Sequence, residues 1–312
     1  MIMINLDQLR VFQAVAQAHS FTRAAEVVHL TQPGISKHIR QMEDYFATPL
    51  FDRSGRKATL TEAGSILFEA TQGVMAIIDI AEQRIEDLKG LRGGRLRLGT
   101  SFPIGVYLLP RVLARFRKKY PAVEVTLDIT LSGTIGPKVL TNEIDLGLAS
   151  YEPRDPRLVA QAFMTDELIA IVPRDHKLAH KRHITAQELT EDTFIVAAPG
   201  AGTRTLLEER LRDQGIALQK VLDFGNLEGV KHAVEAGLGI SIQARSVVQR
   251  EVASGSLHAV KLAGIDATIP FFYVSRKNAH MSHAAKALIE MLPTMPASGH
   301  RSSETAEHGG QD

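Results

Sequence analysis

The 312-residue chain contains no cysteine. That excludes disulfides, thiol catalysis and cysteine-ligated zinc, and it is consistent with a reducing compartment. The chain also lacks a strong charge of either sign: 36 Lys and Arg against 35 Asp and Glu leave a formal net charge of +1. It is not a polycation, so any contact with nucleic acid must come from a local basic patch. No uninterrupted apolar run approaches the ~18 residues that indicate a membrane span. Met1–Arg10 has no basic stretch leading into an apolar core and a small-residue cleavage site, so no secretory signal is expected. These absences predict a soluble, cytoplasmic chain without a membrane partner.

Catalytic patterns are missing too. The 12 histidines are scattered, with no His-Glu-x-x-His pair. Gly237-Leu-Gly239 lacks the third glycine and the strand-before-helix context of a dinucleotide site, Gly93-Gly94 reads as a hinge, and Ser132 stands outside any nucleophile elbow. Asp128 and Asp145 read as strand-end or surface carboxylates. Nothing assembles an acid, a base and a nucleophile, so an enzyme is the weaker reading. What remains is ordinary globular material, 44% hydrophobic and 23% charged, long enough for two or more domains.

The most informative stretch is Ser20 to Asp44. Phe21, Ala24, Ala25 and Val28 fall at helical spacing, and so do Ile35, Ile39 and Met42 after a turn. Thr31 stands where an N-cap belongs, and Pro33 falls in the first turn, where a missing N–H costs nothing. His29 occupies the turn position that often needs positive φ, which histidine tolerates better than most residues. Between the apolar positions of the second helix lie Gln32, Ser36, Lys37 and Arg40, side chains that hydrogen-bond base edges and phosphates. The alternative for each cation is a solvated surface charge. Gly34 either loosens the first turn or clears room for a close approach to a duplex.

A first helix precedes this pair, with Leu6, Leu9, Phe12, Val15 and Ala16 on its buried side. After it, Pro49 to Leu60 reads as a hairpin around a Ser54-Gly55 turn, with Phe51 and Leu60 inward and Arg53, Arg56 and Lys57 at the tip. A hairpin behind a helix-turn-helix is a wing. Thr61 then caps a long helix to about Leu88, whose Leu67, Ala70, Val74, Ile77, Ile78, Ala81, Ile85 and Leu88 form a heptad-like stripe. Such a seam pairs either with its own copy, the favoured reading, or with its own domain.

From Arg95 the pattern alternates. Strands are expected at 96–100, 123–131, 144–149, 168–172, 194–197, 221–224, 240–242 and 270–275. Helices are expected at 106–120, after Gly136, and at 205–214, 227–236 and 284–292. Residues 297–312 hold no Ile, Leu, Val or aromatic residue and predict a disordered tail. In open α/β sheets, ligands settle beyond the carboxyl ends of strands. Thr100-Ser101, Ser132-Gly-Thr134 and Gly200-Ala-Gly202-Thr203 sit there as hydroxyl-bearing strand ends, with Asn226 after another strand. They line a pocket for a small anion or they merely cap helices, and the two roles are compatible.

Phe21-Thr-Arg-Ala-Ala25, Leu30-Thr-Gln-Pro33, Ser36, Ile39, Glu43, Leu50-Phe-Asp-Arg53, Leu60-Thr-Glu-Ala-Gly64 and Ala236-Gly-Leu-Gly-Ile240 together resemble the LysR-type transcriptional regulators. The resemblance covers nearly the whole chain and implies a multidomain α+β and α/β fold. A winged helix-turn-helix would occupy residues 1–60 and a dimerising linker helix with its hinge 61–93. A two-lobed effector domain similar to type 2 periplasmic binding proteins would occupy 94–296. Lobe one would take 94–165 plus 267–292, and lobe two 166–266. A plain solute-binding protein would share the lobes but not the wing or the linker helix.

The resemblance extends the expected DNA-contacting set to Thr22, Arg23, Thr31, Gln32, Pro33, Ser36, Lys37, Arg40, Arg53, Arg56 and Lys57. Its expected effector set is Thr100, Ser101, Ser132, Thr134, Gly202, Thr203 and Asn226. The partners it implies are double-stranded DNA with dyad-related half-sites, a small effector, further copies of the chain as a dimer of dimers (a homotetramer), and RNA polymerase. No cofactor or metal is implied.

Overall fold

The computed structural model describes residues 4–52, 57–88, 90–218 and 220–293. The wing-tip residues Arg53 and Arg56, the Ser54-Gly55 turn and the tail at 297–312 lie outside the described residues. The chain divides into two compact units, Met1–Lys89 and Gly90–Asp312.

In the first unit, α1 (Leu6–Ala18), α2 (Phe21–Val27) and α3 (Gln32–Phe46) surround one apolar core. Each starts on a side-chain cap: Asn5 accepts from the N–H of Gln8, Ser20 from that of Arg23, and Thr31 from that of Gly34. Between α2 and α3 the chain turns through His29 at φ 55°. Phe12, Ile35, Ile39 and Met42 are fully buried. The wing strands β1 (Phe51–Asp52) and β2 (Thr59–Leu60) pair antiparallel, with Phe51 opposite Leu60. Phe51 stacks between Phe12 and Phe21 at ring-centroid distances of 5.3 and 5.6 Å, which ties the wing to the first two helices.

The long helix α4 (Glu62–Asp87) starts on Thr61, whose hydroxyl accepts from the N–H of Gly64 at 3.0 Å. A Cβ on Gly64 would stand 2.1 Å from the carbonyl oxygen of Leu50, so only glycine lets the helix leave the wing at this angle. Ala63, Leu67 and Phe68 pack on the helix-turn-helix core. Beyond them Val74, Ile77, Ile85 and Leu88 are exposed, at 41, 69, 59 and 86%. Glu62–Glu82 has a mean hydropathy of 1.3 and is long and apolar enough to cross a membrane.

The second unit is built on an eight-stranded sheet. Its strands are β3 (Arg95–Ser101), β4 (Glu124–Thr130), β5 (Leu146–Ala149), β6 (Leu158–Pro173), β7 (His183–Thr185), β10 (Ser241–Ala244), β11 (Leu257–Ala263) and β12 (Thr268–Arg276). Their order is β4-β3-β5-β12-β6-β11-β7, with β10 also on β6. A small parallel sheet pairs β8 (Phe194–Val196) with β9 (Val221–Asp223), and Phe194 bridges to Ile240. The helices are α5 (Leu109–Lys119), α6 (Ser132–Leu140), α7 (Ala186–Leu189), α8 (Gly202–Asp213), α9 (Leu227–Glu235), α10 (Gln249–Ser254) and α11 (His283–Ile289).

Strand β6 organises the two lobes. Its first half pairs with β12 in lobe one, and its second half pairs with β10 and β11 in lobe two. The sequence pattern predicts a strand only over 168–172, the fully buried run. The first half carries Gln161, Thr165, Asp166 and Glu167, which break its apolar residues into two runs of three; its strand geometry comes from β12. Strands β7 and β11 and helices α7 and α10 are likewise absent from the sequence expectation.

Two expected helices begin elsewhere. A wide π-type turn, Ile104–Leu108, precedes α5, because Pro110 has no N–H to return to Val106. Helix α6 starts at Ser132 rather than after Gly136 and carries Pro137 inside it. Ser132 and Thr134 are therefore first-turn helix residues and not a strand end.

Candidate nucleic-acid interface and effector cleft

Helix α3 has two unlike faces. Ile35, Ile39 and Met42 are buried, while Thr31, Gln32, Pro33, Lys37 and Arg40 are exposed and Ser36 half-buried. The Gln32 side chain donates to the Ser36 hydroxyl at 3.1 Å, so two potential base-reading groups hold each other in place. Thr22 and Arg23 are exposed at the start of α2, and Lys57 is exposed on the wing. Glu43 serves the fold: its carboxylate accepts from the N–H of Leu50 at 3.0 Å and fixes the approach to β1. A Cβ at Gly34 would meet only the Thr31 hydroxyl, at 3.3 Å, so the internal packing of α3 does not demand glycine there.

Between the lobes lies a cavity of about 280 Å³. Ser101, Ser132, Gly202, Thr203 and Asn226 line it. Thr100 and Thr134, expected beside them, do not. The Thr100 hydroxyl bonds the carbonyl of Ser101 and its methyl lies against Gly105, within lobe one. The Thr134 hydroxyl donates back to the carbonyl of Leu131 and pairs with Thr130. Asn226 combines the two anticipated roles, since it lines the cavity and also caps α9 by accepting from the N–H of Gly229 at 2.8 Å.

The lobes touch at the cavity through small residues. The N–H of Gly133 donates to the carbonyl of Gly200 at 3.3 Å. The Ser132 and Ser150 hydroxyls share a hydrogen bond of 3.0 Å, and a Cβ on Gly202 would lie 2.8 and 2.4 Å from them. Only a glycine at 202 lets the start of α8 approach so closely.

Larger side chains clasp the lobes elsewhere. Tyr151 donates to Glu209 at 2.7 Å, and Arg154 joins the same carboxylate at 3.0 Å. Tyr107 donates to Glu228 and receives Lys231 Nζ at 2.9 Å. Burial, together with the Glu228 carboxylate, pushes the Tyr107 hydroxyl up to about 12. Burial acts to lower the pKa of Lys231, but its bonds to Glu251, Tyr107 and Glu228 outweigh that and raise it.

Residues that the sequence reading missed include Phe102, Ile129, Phe194, Leu207, Ile242 and Gln243. The apolar ones look like any core residue in sequence. Gln243 carries a faint signal, a buried amide in the middle of a strand, and it donates to Ser241 at 3.0 Å. Arg204 also lines the cavity, yet its guanidinium is occupied by Glu208 at 2.7 Å, Asp223 at 2.9 Å and the carbonyl of Ala197 at 2.7 Å. Among the described residues no group of His, Asp or Glu is placed to hold a metal ion.

A winged helix-turn-helix, a long exposed-seam helix and a two-lobed binding unit define a ligand-responsive DNA-binding regulator. The family description "LysR substrate binding domain" matches residues 89–296, and "Bacterial regulatory helix-turn-helix protein, lysR family" matches 6–65. The "RuBisCO operon transcriptional regulator" of Allochromatium vinosum is 34% identical over 297 residues, covering 95% of this chain and 98% of the relative. Among solved structures, full-length CbnR in complex with its target DNA is 19% identical, with a TM-score of 0.65 over 93% of this chain and 99% of that one. The effector binding domain of QuiR in complex with shikimate is 20% identical, with a TM-score of 0.58 over 64% of this chain and 95% of that one. The chain belongs to the LysR family. It is a transcriptional regulator, not an enzyme.

Proposed function

We propose that this regulator reads promoter DNA by laying α3 in the major groove while the wing grips the backbone, and that a small anionic metabolite in the interlobe cleft controls the outcome. The observation that carries the DNA reading is the face of exposed Gln32, Lys37 and Arg40 with half-buried Ser36, set opposite wholly buried Ile35, Ile39 and Met42. Thr31 and the first N–H groups of α3 hold a phosphate, and Thr22, Arg23, Pro33 and Lys57 complete the contact surface. Arg53 and Arg56, outside the described residues, join Lys57 at the phosphates. That CbnR has been solved on its target DNA and QuiR with shikimate supports placing DNA at the first unit and a small molecule at the second.

Function divides along the chain accordingly: residues 1–60 bind DNA, 61–93 form the linker helix and hinge, and 94–296 bind effector, with lobe one at 94–165 plus 267–292 and lobe two at 166–266. Val74, Ile77 and Ile85 on α4, with Leu88 just past its end, pair with the same helix of a second copy, a better partner than a bilayer because Glu69 and Asp79 interrupt the stripe and a carboxylate at mid-membrane costs about 3 kcal/mol. Two further apolar edges, at Leu127 on β4 and at Val221 and Leu222 on β9, supply a second contact and so a dimer of dimers. At a cytoplasmic promoter with dyad-related half-sites, that assembly acts on RNA polymerase. Effector shifts the assembly only through its differential affinity for two lobe arrangements.

The relative named for the RuBisCO operon makes carbon-fixation promoters the first fragments to try, with the region upstream of the regulator's own gene beside them. Footprinting at modest salt is expected to protect dyad-related half-sites. Retention no better than that of a duplex of scrambled sequence overturns the reading.

A further inference from the structure

Residues 88–123 carry nine Lys and Arg and no Asp or Glu, in a chain whose formal net charge is only +1. Five of the nine, Arg111, Arg115, Arg117, Lys118 and Lys119, lie exposed on α5. We propose that this basic face of α5 is a second duplex-binding surface, which grips DNA phosphates without reading sequence. It adds to the contacts of α3 and the wing and does not depend on which bases α3 reads.

Three observations carry it. First, helix stability does not account for the cations. Lys118 and Lys119 suit the negative end of the helix, but Arg111 stands in the first turn, at the positive end. Arg111 with Arg115, and Arg115 with Lys119, are like charges four residues apart, which repel on a helix surface. Among the described residues no ion pair relieves them, whereas Arg97, Lys138, Arg157, Arg204 and Arg245 of the same unit each hold a carboxylate. An anionic occupant turns this repulsion into binding.

Second, the charges are spaced and held. Arg111, Arg115 and Lys118 follow one stripe, opposite buried Leu109, Val112 and Phe116. At 1.5 Å of rise per residue the stripe is about 10 Å long, and a duplex offers it one phosphate per ~3.4 Å of axis on each strand. The Arg115 guanidinium donates to the carbonyl of Met291 at 3.1 Å, and the Lys119 ammonium lies 5.2 Å from the centre of the Tyr120 ring. Side chains already held lose less rotamer freedom on contact.

Third, the patch lies where the second unit is tethered. From Lys119 the chain turns into β4, whose first residue, Glu124, stands opposite exposed Arg95, the first of β3. The Glu124 N–H also donates to the carbonyl of Gly94 at 2.9 Å. The end of α5 and the start of β3 therefore share the end of the unit at which the chain arrives from Lys89. A duplex held by the first unit is a polyanion linked to this patch at high effective concentration. An acidic protein surface would have to arrive from solution, so DNA is the occupant that the tether favours.

The test uses the full chain, with anisotropy titrations over a range of salt on a footprinted promoter duplex and on a scrambled duplex of equal length. Neutralising Arg111→Gln, Arg115→Gln, Lys118→Gln and Lys119→Gln together is expected to weaken both duplexes alike, to reduce the slope of log K against log salt by about 3 on each, and to leave the ratio of the two affinities unchanged. Lys118→Gln with Lys119→Gln alone, which spares the bond to Met291, is expected to reduce the slope by about 2. Arg111→Lys with Arg115→Lys keeps the charge and is expected to keep the slope. The proposal is overturned if the slope does not move in the neutralised variants, or if the charge-keeping variant loses it equally. A smaller species in sedimentation velocity also overturns it, by making the patch a contact between copies. So does an unmoved slope with lost recruitment of RNA polymerase, by giving the patch an acidic protein as occupant. If the unsubstituted chain does not distinguish the two duplexes, the α3 reading falls while the slope difference still decides the role of α5.

Discussion

Tyr107 of lobe one and Lys231 of lobe two meet across the interlobe boundary, hydroxyl to ammonium, at 2.9 Å. The ammonium also lies 5.2 Å from the centre of the tyrosine ring and 2.6 Å from Glu251, and the lysine side chain is 4% exposed. A cation so deeply placed depends on these partners. Lys231→Ala strands the Glu251 carboxylate, one oxygen of which is already buried without a partner. The expected loss is about 3 kcal/mol in denaturant unfolding of the effector unit. Lys231→Met combined with Glu251→Gln is expected to recover most of it. An unchanged midpoint in the single variant sinks the account.

The same pair gives a signed pH dependence. Tyr107 is raised from 10.0 to about 12, chiefly by burial. A raised value means the folded state holds the proton longer, so this contribution is intact below pH 10 and is lost as pH climbs toward 12. Lys231, also raised, stays charged through that window. Tyr107→Phe is therefore expected to flatten the alkaline fall in thermal midpoint between pH 10 and 12. Parallel curves for the two proteins would rule the tyrosine out.

Gly202→Ala forces a methyl group to within 2.4 Å of the Ser150 hydroxyl and 3.0 Å of its backbone carbon. The lobes must part. The effector unit is expected to remain folded with about 1–3 kcal/mol less stability. DNA affinity without effector is expected to hold, while effector-dependent changes in the footprint vanish. A normal effector response would show that the lobes do not need this contact.

Ile77 is 69% exposed in the middle of the α4 seam. Ile77→Glu places like charges face to face in a self-paired helix. Sedimentation velocity is expected to show a smaller species at unchanged helix content. An unaltered assembly would move the pairing surface elsewhere.

Base reading and phosphate binding separate by salt. Gln32→Ala, which removes one partner of the Gln32–Ser36 pair, is expected to cost about 1–3 kcal/mol at a single base position and to leave the salt slope alone. Arg56→Ala with Lys57→Ala is expected to weaken binding to all sequences alike and to reduce the slope of log K against log salt by about 2. An unchanged slope removes the wing from the interface.

The amino-acid order alone determined the first unit almost entirely, because its signals are local. Caps at Thr31 and Thr61, a period of 3.6 in α1 to α3, a turn residue tolerant of positive φ at His29 and a hairpin before a heptad stripe each act over a few residues, and the structure places all of them where the pattern does. In the second unit the buried runs were legible as strands for the same reason. Tertiary structure alone decided what depends on residues far apart in the chain. The first half of β6 is a strand because β12 pairs with it. Thr100 and Thr134 satisfy their hydroxyls inside their own lobe, while Ser101, one residue along, is left facing the cavity. The clasp of Tyr107 with Lys231 joins positions 124 residues apart. Alternation along a strand tells which side chains share a face, but which face meets a cleft is set by how two lobes close, and no local pattern encodes that.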